Sequence, residues 1–390
     1  MGFVSDMITQ LLSISAMTEV DGIKLNFIGK FIRTLIEGVG SVGFGIIIFT
    51  LILKAIVTPL DAWSRISMRK NSLKMEKMRP QLEKLQKQYA NDKAMYQQKM
   101  MQLYKKEGYS MFGSCLPTIV SLVFFIVVLG AFNTYSQYKT LDNYNQMATA
   151  YTYSLDEKVE QGYLTKTENT YTINVDKVIA AGVDLSAFTG TDAEKAEAWI
   201  KNDARNASAT KYRDLKQNFL WVKNIWVSDV AWAHPIQSYN KFKSSISKSS
   251  QVANIEGQYN EVTANLAKEK KAPNGYFIFV VLSVGITILS QIVMNKGQKA
   301  QLELQTLNGQ GKQTQKIMTY IMPIMIGFFA FMYTSAFALY MVTNSLVSML
   351  MTLLINFLVE KNFKRKAEKE YEEKLNKKYG YNRINTGKKK

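Results

Sequence analysis

The sequence predicts an all-α polytopic membrane protein, with a five-transmembrane-helix core, a cytoplasmic helical hairpin and an extracytoplasmic inserted domain. Three observations predict it. Residues 41–60, 116–135 and 276–294 are each about twenty residues long and almost free of charge, and residues 317–359 contain no charged residue at all. The +18 net charge of the 390-residue chain is concentrated in three segments. Between the first two apolar stretches, residues 62–107 repeat apolar side chains at helical spacing.

A helix rises about 1.5 Å per residue and the hydrocarbon core is about 30 Å thick, so each of the first three stretches crosses once. As a single helix, residues 317–359 would reach about 64 Å, roughly twice that thickness. They are read as two spans, 317–333 and 337–359, broken near Tyr333, Thr334, Ser335 and Ala336.

Charge then orients the chain. Residues 62–114 carry twelve Lys/Arg against four Asp/Glu, residues 295–316 four against one, and residues 360–390 twelve against five. Residues 136–275 are nearly neutral, with seventeen basic and sixteen acidic side chains. Basic loops stay on the cytoplasmic side. The predicted order therefore starts with an extracytoplasmic N-terminus (1–40), span 41–60, a cytoplasmic hairpin (62–114) and span 115–135. An extracytoplasmic insert (136–275), span 276–294 and a cytoplasmic loop (295–316) follow. After the last two spans comes a basic cytoplasmic tail (360–390).

Such a basic chain also fits a soluble nucleic-acid binder, but orientation already accounts for the charge. Cys115 and His234 are the only residues of their kinds, which excludes intrachain disulfides and Cys/His metal sites. Asp6 stands where a secretory signal needs a basic region, and Asp6, Glu19 and Asp21 argue against an organelle transit peptide. A bacterial plasma membrane is the expected location.

Within this frame, residues 24–37 show the spacing of an amphipathic helix lying on the outer membrane surface. Ser41 and Gly45 form a small-xxx-small pair that lets backbones approach closely. In the hairpin, Met75, Met78, Leu82, Leu85 and Tyr89 follow 3-4-3-4 spacing, and Pro80 marks a kink or a new helix start. Asn91 or Asp92 caps a second helix carrying Tyr96, Met100 and Leu103, and Gly108 ends it. In the insert, residues 163–174 read as a β-hairpin, and residues 192–217 and 235–270 as helical.

Polar side chains inside the spans are the candidate site. A Lys at the centre of a membrane helix costs roughly 2.5–3.5 kcal/mol on insertion scales, so Lys54 needs water or a partner. Thr50, Thr58 and Asp61 share its helical face. Snorkelling to the cytoplasmic interface, about 9 Å away at Leu60, is the competing reading. In the third span Ser283, Thr287, Ser290 and Gln291 form one stripe, and in the last Asn344, Ser348, Thr352 and Asn356 repeat every four residues. A lone Ser or Thr is usually satisfied by its own backbone. Several stripes with one lysine suggest a hydrated cavity.

These stretches resemble the YidC family of membrane protein insertases. The resemblance lies in TLILKAIVTPLD, MRPQLEKLQKQY with LYKKEG, GSCLPTIVSLVFF, NFLWVKNI, LSQIVMNK, IMPIMIGFFAFMY and ALYMVTNSLVSM, in that order. It implies a five-helix core around a positively charged groove, open to cytoplasm and lipid and closed outside. Lys54 matches the family's groove arginine, keeping the charge without the bidentate fork, and Gln291 matches a polar groove position. Residues 141–217 look like an enlargement of the outside loop.

The function this implies is an insertase and membrane chaperone. It would accept hydrophobic segments of nascent membrane proteins into the groove and release them sideways into the lipid bilayer. Groove contacts would come from Lys54, Thr50, Thr58, Ser283, Thr287, Gln291, Asn344 and Ser348. No catalytic residue, metal or cofactor is expected, and there is no Walker-type loop. The ribosome and the Sec translocon are candidate partners, although the basic tail fits membrane orientation equally well. A small-solute transporter or channel is the alternative; the polar stripes favour it, and the lack of internal repeats opposes it.

Overall fold

The computed structural model describes residues 13–109, 112–168, 170–246, 252–297 and 320–379. They are mostly helical and divide into two compact units. The first comprises the N-terminus through Phe49, Val127–Val281 and Phe328–Tyr340; the second comprises Thr50–Ile126, Leu282–Gly327 and the chain from Met341 onward.

In the first unit, helix α1 (Phe27–Gly38) starts where the Asn26 side chain accepts from the Gly29 amide at 2.8 Å. It buries Gly29, Ile32 and Ile36 and leaves Phe27 exposed. Helix α2 (Val42–Gln88) begins against it. A Cβ at Gly45 would lie 2.6 Å from the Ile36 Cα, so this crossing needs the absence of a side chain. The Phe219 ring lies over Gly43 in the same way. Polar contacts also hold α1: Glu37 bridges Arg33 and Lys139, both at 2.9 Å.

Helix α4 (Phe112–Glu160), which follows the hairpin helix α3 (Lys93–Lys106), carries the backbone of the expected span 115–135 without a break past residue 135 and deep into the insert. Its extension buries Tyr144, Met147, Ala148, Tyr151 and Leu155 at helical spacing, which gives the insert a core built on the same helix. Strands β2 (Leu164–Thr167) and β3 (Thr170–Ile173) form the hairpin read over 163–174. Strand β1 (Ser13–Ser15) adds to β3 antiparallel, with Ile14 opposite Tyr171, so the fold is not purely helical.

Helix α5 (Val175–Ala180) leads to α6 (Asp192–Leu215), which opens with a Thr191/Glu194 capping box. The helical stretch expected over 235–270 is instead three short helices, α7 (Tyr239–Ser245), α8 (Glu256–Val262) and α9 (Ala267–Lys271). Helix α7 ends in serines whose hydroxyls bond back to the backbone, Ser244 to the Lys241 carbonyl and Ser245 to that of Phe242. Such bonds compete with helix propagation.

A polar plate surrounds the chain near Tyr276 and Ser335. Asn274 donates to the Asn224, Val227 and Ser228 carbonyls and accepts from the Asn224 amide. The Ser335 amide and hydroxyl both reach the Val227 carbonyl. Asp229, fully buried, accepts from the Trp221 indole at 3.2 Å and from the Tyr276 and Phe279 amides at 2.8 and 2.7 Å.

In the second unit, α2 runs through both Pro59 and Pro80 for 47 residues, so Pro80 neither ends nor starts a helix. Asp92 caps α3 by accepting from Met95, and Gly108 takes the left-handed turn, φ +62°, that closes it. Met75, Met78, Leu82 and Leu103 form the hairpin core, with Leu85, Met100 and Tyr104 against it. Helices α10 (Ile278–Gly297), α11 (Met322–Met332) and α12 (Ser335–Tyr379) complete the described chain. The break between α11 and α12 falls at Tyr333–Thr334, as the small polar residues there require. Helix α12 passes 359 without interruption.

Helices α2 and α12 are long and apolar enough to cross a membrane, and Ile278–Val293 and Pro323–Met332 are shorter apolar helices. Large apolar side chains face outward along them, including Leu289, Ile324, Leu353 and Phe357. A soluble protein would bury such side chains together. Most of the cytoplasmic loop expected over 295–316 and the last eleven residues of the tail lie outside the described residues.

Candidate functional site

The polar face of α2 begins with Thr50, which is fully buried, and continues through the half-buried Lys54 and Thr58. The Thr58 hydroxyl donates to the Lys54 carbonyl at 2.6 Å. The ion pairs formed among the described residues do not include Lys54. The face extends one step further than the sequence reading followed it. Arg65, eleven residues after Lys54, donates through Nη2 to the Thr352 hydroxyl of α12 at 2.7 Å. The signal for Arg65 was the same 3.6-residue periodicity; taking residue 60 as the end of the span hid it.

On α10, Ser283, Thr287 and Ser290 are buried and Gln291 is half-buried. Thr287 donates to the Ser283 carbonyl at 2.6 Å and lies 3.1 Å from the Ser345 hydroxyl of α12. Ser345 was missed because the reading followed the four-residue series through its neighbour Asn344. On α12, Asn344 and Ser348 are half-buried, and Ser348 donates to the Asn344 carbonyl at 2.6 Å. The polar stripes of α10 and α12 therefore meet at Thr287–Ser345, and α2 meets α12 at Arg65–Thr352. Just beyond, Arg69 and Glu360 pair at 3.1 Å.

This arrangement defines what the site offers chemically. Thr58, Thr287 and Ser348 have spent their O–H donors on their own helices but retain acceptor lone pairs. Gln291 and Asn344 present both donors and acceptors, and Lys54 presents a cation. Among the described residues no group of three His, Cys, Asp or Glu side chains could hold a metal ion.

The family described as "60Kd inner membrane protein" matches residues 34–169 and 206–362, well over half of the chain. A protein of Fusobacterium nucleatum named membrane protein insertase YidC is 34% identical over 114 residues, 29% of this chain and 54% of the relative. Its namesake from Clostridium tetani is 36% identical over 107 residues, 27% and 47% of the two chains. That from Aromatoleum aromaticum is 41% identical over 97 residues, 24% of this chain and 17% of the relative. The aligned stretches thus span about half or less of these relatives' own lengths. All three relatives are bacterial, and the apolar helices match a bacterial membrane protein. With two long stretches of the chain matched, from within α1 to just past the apolar part of α12, the protein belongs to the 60Kd inner membrane protein family, which is the YidC family.

Proposed function

We propose that the protein is a membrane protein insertase and chaperone with five spans, its N-terminus outside and its C-terminus cytoplasmic. The observation that carries this is Lys54, a half-buried cation outside every described ion pair, on a helix that exposes the apolar Leu51, Ile56 and Leu60 around it. Relatives bearing the name membrane protein insertase support the same reading.

In this mechanism the half-buried Lys54, Thr58, Gln291, Asn344 and Ser348 line a hydrated groove, and the buried Thr50, Ser283 and Thr287 stand on the same helices beside them. Water there shortens the apolar distance that a substrate's polar tail must cross. Lys54 attracts carboxylates in that tail. The spare acceptors of Thr58 and Ser348 receive backbone N–H groups before the substrate has folded its own helix. Transfer of the substrate's apolar segment into lipid supplies the driving force, so neither nucleotide nor covalent step is required. Nascent membrane proteins are the substrates. The basic hairpin and tail face ribosomes through charge attraction to RNA, and the Sec translocon is a further partner.

Reconstitution of the purified protein into liposomes tests this against a solute pathway. The expected result is protease-protected insertion of a short model membrane protein without leakage of entrapped ions or small solutes. Selective solute flux without insertion would overturn the insertase reading in favour of a channel or transporter.

A further inference from the structure

Beyond the groove, a cleft of about 690 Å³ opens between the middle of α2 and the later part of α12 in the second unit. Its floor is apolar, formed by Ile66, Val359 and Phe363, and above the floor stand four exposed cations, Lys70, Arg365, Lys366 and Lys369. Glu368 and Glu372 share the rim, so the lining stays positive. The two helices are pinned together at the cleft by Arg65–Thr352 and Arg69–Glu360.

The position of the cleft follows from helix geometry. The charge-free run of α12 ends at Val359. Arg365 lies six residues later, about 9 Å along the axis, at the outer edge of a headgroup layer that adds roughly 5–7 Å to each side of the hydrocarbon core. Ile66 and Trp63 on α2, with Leu354, Phe357 and Leu358 on α12, are exposed apolar side chains that continue the floor toward the lipid. A ligand filling the whole site must carry a negative head and apolar tails on one molecule. A nucleic acid or free phosphate would use the rim alone.

We propose that this cleft binds the headgroup of an anionic phospholipid, its phosphodiester among Lys70, Arg365 and Lys366 and its acyl chains over Ile66, Val359 and Phe363. Basic clefts between membrane helices on the cytoplasmic side bind acidic headgroups through this combination. Bound lipid would fix the junction of α2 and α12 close to the Arg65–Thr352 contact. The inference rests on the spans proposed above.

The experiment places the full-length protein in nanodiscs of phosphatidylcholine with increasing phosphatidylglycerol and measures the lipid retained after transfer to detergent by native mass spectrometry. Wild type should retain phosphatidylglycerol well above its share of the bilayer. The triple variant Lys70→Gln/Arg365→Gln/Lys366→Gln should lose that preference by roughly fivefold per neutralised cation, the equivalent of about 1 kcal/mol for each basic residue near an anionic surface. Neutralising three exposed insert cations, Arg213, Lys216 and Lys268, should leave it unchanged. Incorporation without phosphatidylglycerol preference, or equal preference in both triple variants, overturns the lipid site while leaving the spans standing. Loss of RNA-oligonucleotide binding in the first triple variant with lipid preference intact would assign the cleft to nucleic acid instead. Failure to incorporate into nanodiscs would overturn the spans themselves, and the proposal with them.

Discussion

Replacing Asp229 should unfasten the polar plate from the start of α10. Its carboxylate is fully buried and accepts three N–H groups, from Trp221 Nε1, Tyr276 and Phe279. Between the last two lies Phe277, held at φ +64°, a conformation that a bulky side chain adopts only under constraint. Its amide also donates to the Asp229 carbonyl at 3.0 Å. Hydrogen bonds to a charged acceptor contribute about 1.5–3 kcal/mol each, and a buried donor left unmade costs about 1–3 kcal/mol. Asp229→Ala abandons two short amide contacts and one longer indole contact, so the expected loss is about 4–6 kcal/mol. Asp229→Asn keeps the shape but turns an NH₂ toward one donor, for about 2–3 kcal/mol. At roughly 2–4 °C per kcal/mol for a unit of this size, Ala should lower Tm by about 10–20 °C, with Asn intermediate. Intrinsic tryptophan fluorescence in detergent reads this directly, since Trp221 is one of the donors. An Asp229→Ala protein melting within about 2 °C of wild type, well below that range, would refute the reasoning.

Three further outcomes follow from other contacts. Burial pushes the Glu261 carboxyl up, but the two-point contact from Arg205 at 2.8 and 2.9 Å and the Tyr151 hydroxyl outweigh it, so the group titrates below the usual glutamate range. Its contribution to stability is present above the unfolded value of about 4.3 and is lost as pH falls through the depressed native value; Arg205→Ala should flatten that part of the insert's acid unfolding curve. Gly45→Leu should drive α1 off α2 and expose residues 27–38 to limited proteolysis, whereas Gly38→Ala, with open space around its position, should not. Leu82→Ala should cost the hairpin core about 2–5 kcal/mol, seen as faster amide exchange confined to residues 75–106.

Much of the helical layout was legible because apolar runs and 3.6-residue periodicity are local signals. The hairpin seam from Met75 to Leu85 needed only spacing, and the α11–α12 break needed only Thr334 and Ser335. Gly45 was legible as a close approach, although not that Ile36 was its partner. What the local pattern could not show was continuity. Helices α2, α4 and α12 pass straight from apolar to polar sequence, and a change of solvent along a helix is not a change of backbone conformation. Strand β1 was illegible because its three residues pair with a segment more than 150 positions away. In the candidate site, single-helix faces were readable, but Arg65–Thr352 and Thr287–Ser345 depend on tertiary packing that no one-dimensional period encodes.

The core of the insert governs what excising residues 141–217 would do. Residues 141–217 carry Tyr144, Tyr151, Ile200 and Tyr212, which share one core with Tyr239, Phe242 and Tyr259 beyond the cut. Removing that segment would leave three aromatic side chains of the remainder without their packing partners. An insertion defect in such a deletion would therefore report damage to the insert's own core as well as any role it plays.

The central claim is that Lys54 meets acidic residues of an incoming chain. The direct measurement is insertion into liposomes by wild type, Lys54→Ala and Lys54→Arg, using model substrates with acidic tails and matched substrates whose acids are changed to amides. The account predicts that Lys54→Ala lowers insertion of acid-tailed substrates at least about tenfold, equivalent to 1.4 kcal/mol. Lys54→Arg should largely retain it, and the amide-tailed substrates should show little difference among the three proteins. Equal insertion of every acid-tailed substrate by wild type and Lys54→Ala would contradict the account and leave Lys54 as a side chain that merely reaches the interface.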